Sequence, residues 1–370
     1  MTFSMKTSLL ACAACLSAVS GAFAAEPFDL DALIAAARKE APIHVYDSTG
    51  KIVEQAKAFS AKYGVQAIGT KAKAPDILEI VSREAQARNV QADVAIISDA
   101  PAAQEQLIAK GYAVSWVPGD LAADIPATYQ NPLTVLLAPN VWTYNTALNA
   151  SCPVTNIWQL TEPKWKGKVS MQDPVGKPSY TDWFNQMAKH HDKELAKAYE
   201  AEFGKPLPAG EESATAAFVK ALAANGPLLT DSDGAAADAV GAPDVKNAFV
   251  GLVSTAKYRE NKNGMKLGIC AGLQPFAGWN YPSFGLIATG SKSPNAAKLF
   301  IRYMMTAEGI APQADDGKMS TNAKATLPAD EPSGIAKISS QIMGYDASTA
   351  SDDWQRRQDW QDLWSLNYKK

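Results

Sequence analysis

The run Asp47-Ser48-Thr49-Gly50-Lys51 gathers two hydroxyls, a glycine and an ammonium, side chains suited to holding an anion. It follows the β-branched and aromatic stretch Ile43-His44-Val45-Tyr46 and precedes apolar residues at Ile52, Ala56, Phe59 and Tyr63, spaced four, three and four apart. That pattern specifies a strand, a tight turn and a helix. The turn would set unpaired N–H groups and small hydroxyls at the positive end of the helix, where negative charge is stabilised. Ser, Thr and Asp also serve there as plain N-caps, so the turn by itself reads equally well as a cap.

Other strand-following turns carry the same chemistry. They are 69–73 with Lys73, Ser98-Asp99, 173–179 with Asp173, Gly176 and Ser179, 230–234 with Asp231 and Asp233, and 254–258 with Lys257. In open parallel sheets ligands bind beyond the carboxyl ends of the strands, so this many polar turns favours a polar ligand in a cleft.

The elements that must position these turns alternate along the chain. Strand-like segments 43–46, 65–69 and 92–97 are each followed by a helical pattern, over 52–63, 76–89 and 101–110. Segments 133–137 and 141–144 read as two strands meeting at Ala138-Pro139-Asn140. A second series comprises 168–172, a long helix over 180–203, 248–253 and 284–288, and the Trp-rich stretch 354–364 has the spacing of a helix packed on a lobe. Such alternation specifies an α/β fold, a mainly parallel sheet with covering helices. A chain of 370 residues exceeds what one core usually supports, so two lobes are expected.

Residues 1–24 read as a signal peptide: Lys6 supplies the charge, 8–19 a short apolar run and Ala22-Phe23-Ala24 a small-x-small cleavage site. The expected mature chain begins at Ala25 and is exported, and no later segment offers the roughly 20 uninterrupted apolar residues of a membrane span. The setting of Cys12 and Cys15 does not fit a lipoprotein. Removing Lys6 turns 35 basic and 38 acidic residues into 34 and 38, a formal charge of −4 that gives no support for nucleic-acid or anionic-membrane binding. Only Cys152 and Cys270 remain of the four cysteines, open to one disulfide or to two buried thiols.

Four landmarks resemble the ferric-ion type of periplasmic solute-binding protein: Ile43-His44-Val45-Tyr46, Ala92-Asp93-Val94, Glu162-Pro163-Lys164-Trp165-Lys166-Gly167-Lys168-Val169, and Asn295-Ala296-Ala297-Lys298-Leu299-Phe300-Ile301. The resemblance implies the two-lobed periplasmic binding protein fold (type II), with a two-strand hinge, ligand in the interlobe cleft, and delivery to an inner-membrane ABC permease and its ATPase. It implies a periplasmic, monomeric receptor without cofactor or enzymatic activity. The lobes would be 25–138 with 275–312, and 139–274 with 313–370. Cys152 and Cys270 would lie near the crossovers and bond.

Iron-binding members carry a His in the first turn and adjacent tyrosines after the strand at 248–253. Here Gly50 stands at the first position and Ala256-Lys257, then Tyr258, at the second. Replacing hard anionic donors by a methyl and an ammonium disfavours ferric iron. His190 and His191 are adjacent on a predicted helix and point about 100° apart, so no metal site is expected there.

The pattern resembles more closely the sugar-phosphate branch of the family, which implies a phosphorylated solute such as a hexose phosphate. Phosphate would sit on Ser48, Thr49 and Gly50 beside Asp47, helped by Lys51 or Lys73 and by the 173–179 turn. Asp231, Asp233, His191 and Asp192 would accept sugar hydroxyls, and Trp183, Trp279 or Tyr281 would stack on the ring. Ferric iron, an organophosphonate or a phosphorylated vitamin are the alternatives within the family. An exported phosphate-ester hydrolase is the alternative outside it, though no Gly-x-Ser-x-Gly or His-Glu-x-x-His occurs.

Overall fold

The computed structural model describes residues 28–369. The expected signal peptide and the mature start at Ala25 lie outside the described residues.

The first strand forms at Ile43–Asp47 and the helix after it at Lys51–Tyr63, which buries all four of Ile52, Ala56, Phe59 and Tyr63. Gly64 ends that helix in the left-handed conformation (φ 68°), open to glycine without a Cβ clash. Strand Ala67–Lys71 pairs parallel on one side of the first strand and Val94–Ile97 on the other. This is the α/β alternation read from the sequence.

The sheet runs on without a break. After Val94–Ile97 come the long strands Gly278–Ala288 and Thr134–Asn145, then Val250–Ser254, Val169–Gln172 and Leu228–Thr230. Gly278–Ala288 pairs antiparallel with Val94–Ile97 through Phe284 to Ile287, whereas Thr134–Asn145 pairs with Val250–Ser254 through Asn140 to Tyr144. The two long strands pair with each other across the middle, so they form a two-strand hinge between two α/β halves.

Thr134–Asn145 is one strand of 12 residues, not the two expected on either side of Pro139. On its outer flank Pro139 falls between Met319–Ser320, which pairs with Leu136 and Leu137, and the Val250–Ser254 ladder, so its missing N–H interrupts no pairing there. The long helix expected over 180–203 is likewise resolved into Pro178–Gln186, a π-helical turn Met187–His191 and Asp192–Phe203.

Apolar side chains collect on both sides of the hinge. One cluster surrounds Phe59, Phe300 and Tyr303, and a second surrounds Ile77, Leu107 and Phe284. The third fills the other half around Trp142, Trp158, Tyr180, Trp183 and Phe184. The tail 313–370, expected in the second lobe, contacts both halves. Met319–Ser320 pairs in the first half, and in helix Ala350–Asn367 the first residue packs with Ile77 and Phe284 while Trp360 and Trp364 pack in the third cluster. No helix among the described residues is long and apolar enough to cross a membrane.

Candidate functional site

A cavity of 400 Å³ opens where the two halves face each other. The first half contributes Ser48, Ser98 and Asp99, the hinge Tyr281 and Ser283, the second half Lys177 and Ser179, and the tail Lys318. A neighbouring cavity of 390 Å³, lined by Asp173, Gly176, Thr230 and Asp231, shares Lys177 with the first. The turns at 47–51, 98–99, 173–179 and 230–234 thus each give residues to these two cavities, whereas 69–73 and 254–258 line neither.

Within the first turn, roles differ from those expected. Ser48 Oγ lies 3.4 Å from Ser98 Oγ, and both line the cavity. Asp47 turns inward: it is buried, accepts from Gln313 Nε2 at 3.0 Å, and burial raises its pKa. Thr49 Oγ1 accepts the Lys51 N–H at 3.3 Å, so it braces the start of the helix, and Gly50 is exposed. None of these three lines the cavity. Lys73 is exposed, and the following Ala74 and Pro75 face the cavity in its place. Asp99 is engaged twice, by the Ala102 N–H at 3.1 Å and by Arg357 Nη2 at 2.6 Å.

The wall from the second half starts at helix Pro178–Gln186. Ser179 is 2% exposed and lines the cavity, and its Oγ, a neighbour of the Tyr281 phenol, makes no well-formed hydrogen bond among the described residues. Beside it, Lys177 Nζ lies 5.5 Å from the centre of the Tyr281 ring. Burial lowers the Lys177 pKa, opposed by the charges of Asp233 and Asp99. Burial likewise raises that of the Tyr281 phenol.

Asp233 accepts the Ser254 N–H at 3.0 Å and sits 4.0 Å from Lys257, and burial raises its pKa. It ties the Asp233–Gly241 helix to the Val250–Ser254 strand. Ser232, not an Asp, caps that helix, accepting the Ala235 N–H at 3.2 Å.

Four expected contacts are corrected. Trp183 and Trp279 are buried and stack on each other at 6.2 Å inside the core, so neither offers a face to a sugar; Tyr281 is the expected aromatic that reaches the cavity. His191 packs edge-on against Phe276 at 4.9 Å, where burial lowers its pKa. Asp192 accepts the Thr215 N–H and hydroxyl, each at 2.8 Å, and thereby anchors helix Ala214–Ala224. Neither His191 nor Asp192 lines either cavity. Cys152 and Cys270 are bonded, with Cα atoms 5.0 Å apart.

Sequence reasoning missed Lys177, Lys318, Ser283 and Arg357. Lys177 lay inside the flagged 173–179 turn and was the nearest to being found. Lys318 gave no local signal, because its place depends on Gln313, itself 266 residues from its partner Asp47. Among the described residues no group of three or more His, Cys, Asp or Glu is placed to hold a metal ion.

A family model described as bacterial extracellular solute-binding protein matches residues 43–317. A comparison with curated proteins finds no match. Among solved structures, iron-bound HitA from Pseudomonas aeruginosa is similar at 16% identity with a TM-score of 0.65, covering 87% of this chain and 99% of that one. Ferric iron-binding protein A from Mannheimia haemolytica, in an open conformation, gives 15% identity and a TM-score of 0.66 over 89% of this chain and 100% of that one. The substrate binding protein of the ABC transporter from Agrobacterium tumefaciens gives 15% identity and a TM-score of 0.62, over 89% and 95%. At these identities the likeness establishes the two-lobed fold. The sugar-phosphate branch expected from the sequence gains no support from them.

Proposed function

The chain belongs to the family of bacterial extracellular solute-binding proteins, and from that premise we propose that it captures a small anionic solute, a phosphorylated organic compound, between its lobes for an ABC importer. The carrying observation is Ser179. A buried hydroxyl without a partner is costly, and this one lines the cavity in the first turn of a helix, next to the half-buried Lys177. Helix N–H groups, a free hydroxyl and an ammonium together make a good cradle for phosphoryl oxygens. Ser48 and Ser98 supply further donors from the opposite wall, and Tyr281 and the cavity bearing Asp173 and Asp231 would receive the rest of the solute.

Ferric iron is the second reading, and the comparisons favour it: HitA is iron-bound and the Mannheimia protein is named for ferric iron. In this cavity Tyr281 offers a phenol, but Lys177 and Lys318 would repel a bare cation. Iron would therefore enter as a complex with its own anion.

Native mass spectrometry of solute that co-purifies, with thermal-shift assays against glucose 6-phosphate, an aminoalkyl phosphonate, ferric citrate and citrate alone, separates the readings. A rise with a phosphate or phosphonate and none with ferric citrate is expected. A rise with ferric citrate alone, accompanied by phenolate–iron absorption in the visible, would establish the second reading.

A further inference from the structure

Lys318 enters the cavity from a chain of buried amides. Its Nζ donates to Gln313 Oε1 at 2.8 Å. The Nε2 of that glutamine donates to Asp47 Oδ2 and to Gln55 Oε1, each at 3.0 Å, while Gln55 donates to the Gly309 carbonyl at 2.7 Å. Gln313 and Gln55 are wholly buried. The orientation of the Gln313 amide is thus determined: turning it over would press its NH₂ against the ammonium and its oxygen against a carboxylate. Asp47 is held one glutamine away from Lys318 and does not consume it in a direct ion pair. An ammonium has three donors, and Gln313 is the one hydrogen-bond partner of Lys318 among the described residues. Its remaining donors are available to the cavity it lines.

The adjoining Met319–Ser320 strand pairs with the first-half end of Thr134–Asn145, whereas Lys177 and Ser179 stand on the second half. We propose that Lys318, positioned by Gln313, is the specificity determinant for a doubly charged headgroup, gripping from the first lobe the same anionic group that Ser179 and Lys177 hold from the second. This rests on the anionic-solute reading above and adds its charge. Two ammoniums on opposite walls select a phosphate monoester or phosphonate dianion over a singly charged sulfate ester or carboxylate, since each Coulomb contribution scales with the ligand charge. They also make closure of the lobes depend on the anion, because only a headgroup between them relieves their mutual repulsion.

The probes are methyl phosphate and methyl sulfate, equal in shape and differing by one charge at pH 8, titrated calorimetrically into the full-length mature protein. The native chain should prefer methyl phosphate. Lys318→Gln, which keeps a hydrogen bond to Gln313, should lower that preference roughly tenfold or more, the scale of one charge-assisted contact. Lys318→Arg should retain most of it, and Gln313→Met should reduce it with Lys318 intact, a shift in selectivity that general loosening of the fold would not produce. A preference unchanged in Lys318→Gln overturns the clamp while leaving the anionic-solute reading standing. A native chain that binds neither probe, nor any phosphate ester or phosphonate, overturns that reading and the clamp with it.

Discussion

At the scale of single residues, the site depends on charged groups held where water solvates them poorly. Lys177 shows this directly: burial disfavours its ammonium, so its pKa lies below the ordinary lysine value of 10.5. An anion that needs the ammonium favours the protonated form. Solute binding should therefore take up a proton on the alkaline side of neutrality, and affinity should fall as pH rises, beginning below pH 10.5. Calorimetry in buffers of different ionisation enthalpy measures that uptake, and Lys177→Gln should abolish it. An affinity with no such fall in the native chain, or a fall unchanged in Lys177→Gln, would remove Lys177 from the site.

Among the elements, the turn at 230–234 shows how a cap and a tether share one loop. Ser232 accepts the Ala235 N–H, while Asp233 binds the backbone of the neighbouring strand. Ser232→Ala should cost about 1 kcal/mol in urea unfolding, the usual loss for a cap, with little change in affinity. The hinge strands carry a harder constraint. A Cβ on Gly278 would stand 2.2 Å from the Asn140 carbonyl oxygen and 2.8 Å from the Val141 Cα, both backbone atoms of the paired strand. Gly278→Ala must push the two hinge strands apart. We expect a loss of about 1 to 3 kcal/mol or more, on the order of other overpacked cores, and a changed open–closed balance by small-angle scattering. A native-like melting temperature would show that the strands separate freely there.

Across the whole molecule, two devices join distant parts of the chain. Arg357, on the C-terminal helix, reaches Asp99 of the first half at 2.6 Å and Asp182 of the second at 2.8 Å. Burial alone would lower its pKa, but the two carboxylates hold it up, so the cation persists at any working pH. The Cys152–Cys270 disulfide spans a sequence separation of 118. In the chain-entropy account, closing a loop of that size stabilises by about 4 to 5 kcal/mol. Replacing both cysteines by Ser should lower unfolding stability by up to that amount and leave solute affinity unchanged, since neither residue lines the cavity. A large affinity loss would instead tie the bond to the geometry of the cleft.

Periodicity and turn chemistry are local, and what they encode was legible in the sequence by itself. The strand at 43–46, the buried face of Ile52, Ala56, Phe59 and Tyr63, the α/β alternation and the polar turns at strand ends all follow from side chains close in the chain. Which hydroxyls and charges face the cleft did not follow. Ser48 enters the cavity while its neighbour Asp47 is drawn inward by Gln313, and Trp183 and Trp279, with the composition of a stacking platform, stack on one another in the core. Lys318 belongs to the site because a tail strand pairs with the hinge and a buried glutamine orients its ammonium. Such placements are decided by contacts between segments far apart in the chain, up to 266 residues for Asp47 and Gln313, and they exist only once the two halves have folded around the hinge.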